Sequence, residues 1–231
     1  VGATQVRFLY GFPFALLFLT AVLTMTGEAL PRPGGDFAIF LGAGALAQIG
    51  ATALMLAAMK ERSFAVVTAT VKTEPVQTAV FGLAVLGDPV SFAGLLAILV
   101  ATLGVVLVST RPGAGRFDRD ALRPALFGLA AGALFAVSAI GFRGAILALE
   151  SGGFLVRATT TLAWGLGLQT AVLCAGLALL DRRALLGSLG AWRQSLGAGF
   201  LGAVASQFWF IGFALTSAAN VRTLALVEVL M

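Results

Sequence analysis

Residues 64–86 read FAVVTATVKTEPVQTAVFGLAVL, an apolar run with Lys72-Thr73-Glu74-Pro75 near its middle. A bilayer core takes about 20 helical residues at a rise of about 1.5 Å each, so the length predicts a membrane-spanning helix. Lys72 and Glu74 then lie close to the midplane. A charge at that depth costs roughly 2.5–3.5 kcal/mol on insertion scales, and such groups face a cavity or a partner. Pro75 has no N–H to offer the carbonyl of Val71, one turn back, and so disrupts the helix there. A charged pair beside a mid-membrane proline is how a discontinuous carrier helix looks in sequence. The plainer reading is an interhelical ion pair beside an ordinary proline kink.

The rest of the chain has the same character. Of its 231 residues 59% are hydrophobic and 11% charged, where soluble domains carry about 25% charge, and the mean hydropathy is +1.01. Eight spans are expected, at roughly 4–26, 37–59, 64–86, 91–109, 123–149, 154–180, 196–215 and from 219 onward. The connections hold helix breakers, as in LPRPGGD at 30–36, GDPV at 87–90, ESGG at 150–153 and DRR at 181–183. The longest polar stretch is RPGAGRFDRDALR at 111–123. The net charge of +5 comes mostly from these connections, so it reads as a topology signal rather than a nucleic-acid surface.

Several chemistries are excluded by composition. The chain has no histidine, which removes HExxH zinc sites, histidine-ligated haem and Ser–His or Cys–His catalysis. Cys174 is the single cysteine and can form no internal disulfide. There is no Walker A loop, no dinucleotide fingerprint and no paired metal ligands. No cofactor and no metal are expected.

An internal repeat organises the chain. Val6-Arg7 is followed by Thr20-Ala21-Val22-Leu23, and Val156-Arg157 by Thr170-Ala171-Val172-Leu173, at an offset of 150. LGAG occurs at 41–44 and again at 196–199, and Glu74 aligns with Glu228. Five spans separate corresponding helices. An odd number forces opposite insertion, so the halves are inverted repeats about an axis in the membrane plane. The expected fold is an all-α polytopic membrane protein of two inverted five-helix repeats, ten helices when intact and about eight present here. Residues 1–110 form the first repeat, lacking its first helix, and 123–231 the second, truncated within its fourth.

Glu228 is the symmetry mate of Glu74, while Val229 stands where Pro75 does. Lys72 and Glu74 are two residues apart and point roughly opposite ways on a helix. Pairs Arg222–Glu74 or Lys72–Glu228 are therefore geometrically more natural than one within the helix. Gln48, Arg143, Gln169 and Gln207 are further polar residues within spans, and interhelical hydrogen bonding is their plain reading. Trp209, in QFWF, is the better candidate for a cavity aromatic, whereas Trp192 beside Arg193 reads as an interfacial anchor. Gly128 and Gly132 make a GxxxG, a packing device.

The order of motifs in 55–110, with Glu74-Pro75, Gly87-Asp88 and then Gly104-Val105-Val106-Leu107, resembles the second half of a repeat of the EamA family, in the drug/metabolite transporter superfamily. Arg7 and Arg157 match the arginine that opens the second helix of each repeat, and FALTSAANVRTLALVEV at 213–229 is similar to the corresponding part of the second repeat. The resemblance implies ten helices and export or uptake of small metabolites without ATP. It implies a central cavity lined here by 37–59, 64–86, 123–149, 196–215 and 219–231. Gln48, Lys72, Glu74, Pro75, Arg143, Gln207, Trp209, Arg222 and Glu228 lie on those spans as the expected substrate- or proton-binding residues. The positive-inside rule places the basic linkers 60–63, 111–123 and 181–193 in the cytoplasm, and the family's usual topology places them outside.

The leading expectation is thus a secondary carrier working by alternating access, not an enzyme, in the inner (plasma) membrane of the cell. Its expected partners are the lipid bilayer, a small-molecule substrate and, in a homodimer, a second copy of itself. A non-transporting scaffold or regulatory subunit is the alternative, with Lys72, Glu74 and Glu228 fully paired around a dry core. A membrane-embedded enzyme ranks behind both, because the chain offers little as a nucleophile–base pair.

Overall fold

The computed structural model describes residues 2–59, 64–109 and 119–227, and it contains no strand among them. The helices are α1 (Gly2–Thr26), α2 (Gly35–Met59), α3 (Phe64–Val71), α4 (Glu74–Leu86), α5 (Phe92–Ser109), α6 (Arg119–Leu147), α7 (Phe154–Leu180), α8 (Arg182–Gly190), α9 (Trp192–Leu215) and α10 (Ala218–Ala225). Five hold a stretch long and apolar enough to cross a membrane: Arg7–Thr26, Gly35–Met59, Ala125–Leu147, Phe154–Leu180 and Trp192–Leu215. Mid-helix leucines such as Leu17, Leu103 and Leu201 are at least 60% exposed. Surface of that kind is a liability in water and the ordinary lipid-facing side of a bilayer protein. The chain is an all-α, polytopic, integral membrane protein.

Two compact units divide the chain. The first comprises Val1–Leu46 with Gly141–Leu215, the second Ala47–Ile140 with Thr216–Met231. Each draws on both halves of the sequence. This spatial division does not follow the expected repeats 1–110 and 123–231.

In the first unit α1, α7 and α9 pack on one another. Lipid gives helices no hydrophobic reason to associate, so close contact depends on small residues. A Cβ on Gly141 of α6 would fall 2.6 Å from the Gly44 nitrogen of α2, and one on Gly199 of α9 would fall 2.6 Å from the Tyr10 carbonyl carbon of α1. Gly44 and Gly199 close the two LGAG motifs, so each motif ends at a helix crossing. Phe142, Phe210 and Phe213 are buried together, with Phe142 and Phe210 ring centroids 4.8 Å apart.

The linker expected at 181–193 is instead mostly helix. Asp181 caps α8, its Oδ1 accepting from the Ala184 nitrogen at 3.0 Å. A capped first turn followed by Leu185, Leu186 and Leu189 is a helix-forming pattern, which the polar appearance of DRR concealed.

The second unit contains α3, α4, α5 and α10 with the adjoining parts of α2 and α6. Gly128 and Gly132 face α3: a Cβ on Gly128 would overlap the Thr70 side chain, and one on Gly132 would lie 3.3 Å from the Val71 oxygen. Ala58, Val67, Val71 and Ala131 form one small core and Ala79, Ile98 and Ala219 another.

The single span expected at 64–86 is two helices, α3 and α4, separated by Lys72 and Thr73. The break follows from Pro75, which cannot bond the Val71 carbonyl and sits in the first turn of α4, where a missing N–H is harmless. Thr73 secures the join: its Oγ1 donates to the Thr70 carbonyl at 2.7 Å and accepts from Gln77 Nε2 at 3.2 Å. At the other end of α4 the chain turns at Gly87, whose φ of 66° suits glycine.

Candidate functional site

The helix break determines where the charged residues stand. Glu74 is the first residue of α4, where the positive end of the helix dipole favours a carboxylate. Its backbone oxygen accepts from Thr78 Oγ1 at 2.9 Å, and Thr78 is fully buried. Glu74 is only 9% exposed. Its Oε1 lies 2.8 Å from Nε of Arg222, on α10. Ser217 caps α10 by accepting from the Asn220 nitrogen, which sets Arg222 in the last turn, at the end of the helix dipole that suits a cation. Each helix therefore presents a charge at its favoured end, and the two charges meet within the second unit. Of the two pairs expected across the repeat, Arg222–Glu74 is formed. Glu228, and with it the pair to Lys72, lies outside the described residues.

Lys72 lies in the break itself and is partly buried, and Pro75 is buried in the first turn of α4. Gln48 is partly buried on α2, in the same unit, and its carbonyl accepts from Thr52 Oγ1 at 2.8 Å. The break, the pair and Gln48 thus belong to one unit.

Arg143, Gln207 and Trp209 belong to the other. Arg143 Nη1 donates to the Phe213 carbonyl at 2.6 Å, tying α6 to α9. Gln207 Nε2 donates to Thr159 Oγ1 at 2.8 Å, tying α9 to α7. The Trp209 ring is half-buried, 5.9 Å from that of Phe213. Gln169, buried on α7, donates to the Ala45 carbonyl at 3.4 Å.

Thr159 was not anticipated as the partner of Gln207. The signal was there in the Thr159–Thr161 run, three hydroxyls in succession and all fully buried. Nor was the bond from the Tyr10 hydroxyl to the Ser188 carbonyl, 2.7 Å long and 178 residues apart in the chain, which no local pattern could disclose. Among the described residues no cluster of three acidic or cysteine side chains is placed to hold a metal ion.

Chemically, the Glu74–Arg222 pair joins two charged side chains. A carboxylate freed from its guanidinium can take a proton or a cationic group, and the guanidinium an anionic one. The broken helix places this pair at an internal helix end, where backbone dipoles already favour ions.

Neither a curated protein nor a solved structure matches the chain. Residues 3–110 match the model of the EamA-like transporter family, a stretch that includes α1 to α5 almost whole and therefore the break and Glu74. Over those residues, just under half of the chain, the protein is similar to the EamA-like transporter family.

Proposed function

We propose that the protein is a secondary carrier of small polar metabolites, working by alternating access, with Glu74 and Arg222 as the groups that exchange each other for substrate or a coupling proton. The observation that carries this reading is the ion pair at a helix break. A buried ion pair gains little net stability over apolar residues of the same size. Its presence beside a proline that separates α3 from α4 fits a site whose partners change during a cycle. Gln48 and Lys72, in the same unit, extend the polar surface. Arg143, Gln207 and Trp209 are proposed as further substrate-facing residues of the other unit, and the inner membrane of the cell as the location.

A scaffold is the second reading, favoured by the fact that Glu74 is already paired. Efflux separates the two. Proteoliposomes loaded with a mixed pool of amino acids and nucleosides, under an imposed pH gradient, should release part of the pool through the wild-type protein. Glu74→Gln should abolish that release. Efflux retained in Glu74→Gln would make the pair structural, and no efflux from a wide solute pool would favour the scaffold.

A further inference from the structure

α8 is not used by the proposed transport site. Nine residues rise about 13.5 Å, less than half of a hydrocarbon core of about 30 Å, so α8 cannot cross the membrane. One side is held to the protein: Ser188 is buried, and the Tyr10 hydroxyl donates to the Ser188 and Leu189 carbonyls at 2.7 and 3.1 Å. The other side is uncovered. Leu186, Leu189 and, just beyond, Trp192 are exposed. Arg182 and Arg183 open the helix and Arg193 follows it, all exposed, with the Arg193 guanidinium 5.1 Å from the Trp192 ring centroid. The nearest acid in sequence, Asp181, accepts a bond from the helix's own backbone, and among the described residues none of these three arginines forms an ion pair.

We infer that α8 and the start of α9 form a binding surface for anionic phospholipid headgroups, with the arginines on lipid phosphates and Leu186, Leu189 and Trp192 in the acyl boundary. Leucines, an aromatic and cations on one short helix are the composition of an interfacial helix, and each arginine near an anionic surface adds attraction. A second copy of the chain fits this surface poorly. A two-fold contact would bring the same three cations against themselves. The Tyr10 hydroxyl ties the surface to α1.

The test uses the protein with Trp164→Phe and Trp209→Phe, leaving Trp192 as the only indole. It is reconstituted in phosphatidylcholine vesicles holding equal mole fractions of brominated phosphatidylglycerol or brominated phosphatidylcholine. Trp192 fluorescence should be quenched severalfold more effectively by the anionic lipid. Replacing Arg182, Arg183 and Arg193 together by Gln should erase the preference. The same three changed to Lys should keep it, which separates loss of charge from misfolding. Equal quenching by both lipids in the wild-type arginine background would overturn the inference. So would shielding from both lipids, the outcome if a second copy covers α8.

Discussion

Both units hold polar side chains inside apolar helices, but they satisfy them by different means. In the first unit Gln169 and Arg143 each donate to a backbone carbonyl and Gln207 donates to a hydroxyl, and the helices that carry them run unbroken. In the second unit a carboxylate meets a guanidinium across a helix break. A bond to a backbone carbonyl fixes one arrangement, since the carbonyl moves only with its helix. An ion pair has two partners that solvent, substrate or a proton can separate. On the function proposed above, the first unit would supply rigidity and the second the chemistry, and the contrast can be broken by experiment.

The largest effect is expected at the pair. Glu74→Ala leaves the Arg222 charge buried without its carboxylate, and removing one member of a buried pair costs about 3–5 kcal/mol. Thermal unfolding in detergent should show the loss. Changing Glu74 and Arg222 together to Leu should recover most of the stability, because an apolar pair of similar volume is often neutral or better, while transport stays lost. If the double variant transported, the pair would be dispensable and the contrast empty.

Packing should not distinguish the units. Gly128→Val drives a side chain into Thr70, and Gly199→Val drives one into the Tyr10 backbone. Overpacking of this kind costs about 1–3 kcal/mol, and similar losses are expected at both sites. A loss confined to one unit would mean that the difference between them is one of packing rather than charge.

Pro75→Ala sharpens the comparison from the side of the backbone. The proline sits in the first turn of α4, where it is tolerated, so stability should change by less than about 1 kcal/mol. The restored N–H allows α3 and α4 to fuse toward a continuous helix. Efflux should fall while the unfolding temperature hardly moves. Unchanged efflux would separate the break from the cycle.

Much of this was legible in the sequence, for physical reasons. Lipid demands long apolar runs, so the spans could be read from composition, and the glycines of GLAAG are pressed on α3 as a GxxxG suggests. The consequence of Pro75 was legible as a lost hydrogen bond but not as two separate helices. That outcome also needs Thr73 to secure the join, a matter of side-chain rotamer. α8 was missed because nine residues of mixed polarity look like a loop until a cap and a tertiary anchor, Tyr10, are known. The pairing of Arg222 with Glu74 was open to a symmetry argument. The choice of Thr159 for Gln207 depends on the rotation of α7 against α9, which spacing along either helix does not determine.

The smallest effect is expected at that last bond. Gln207→Leu removes the contact to Thr159, but Thr159 Oγ1 keeps its own bond to the Leu155 carbonyl at 2.8 Å, so nothing is orphaned. Interhelical bonds of this kind average about 0.6 kcal/mol in membranes. Gln207 Oε1 is buried with no donor among the described residues, and deleting such an acceptor returns part of its desolvation cost. The net change in stability should therefore be near zero, an order below Glu74→Ala. Efflux then decides what Gln207 is for. A stable variant with normal efflux leaves the residue as a helix-to-helix tie. A stable variant that has lost efflux would mean that Oε1 accepts from the substrate, and that the first unit shares in the chemistry that the comparison gives to the second.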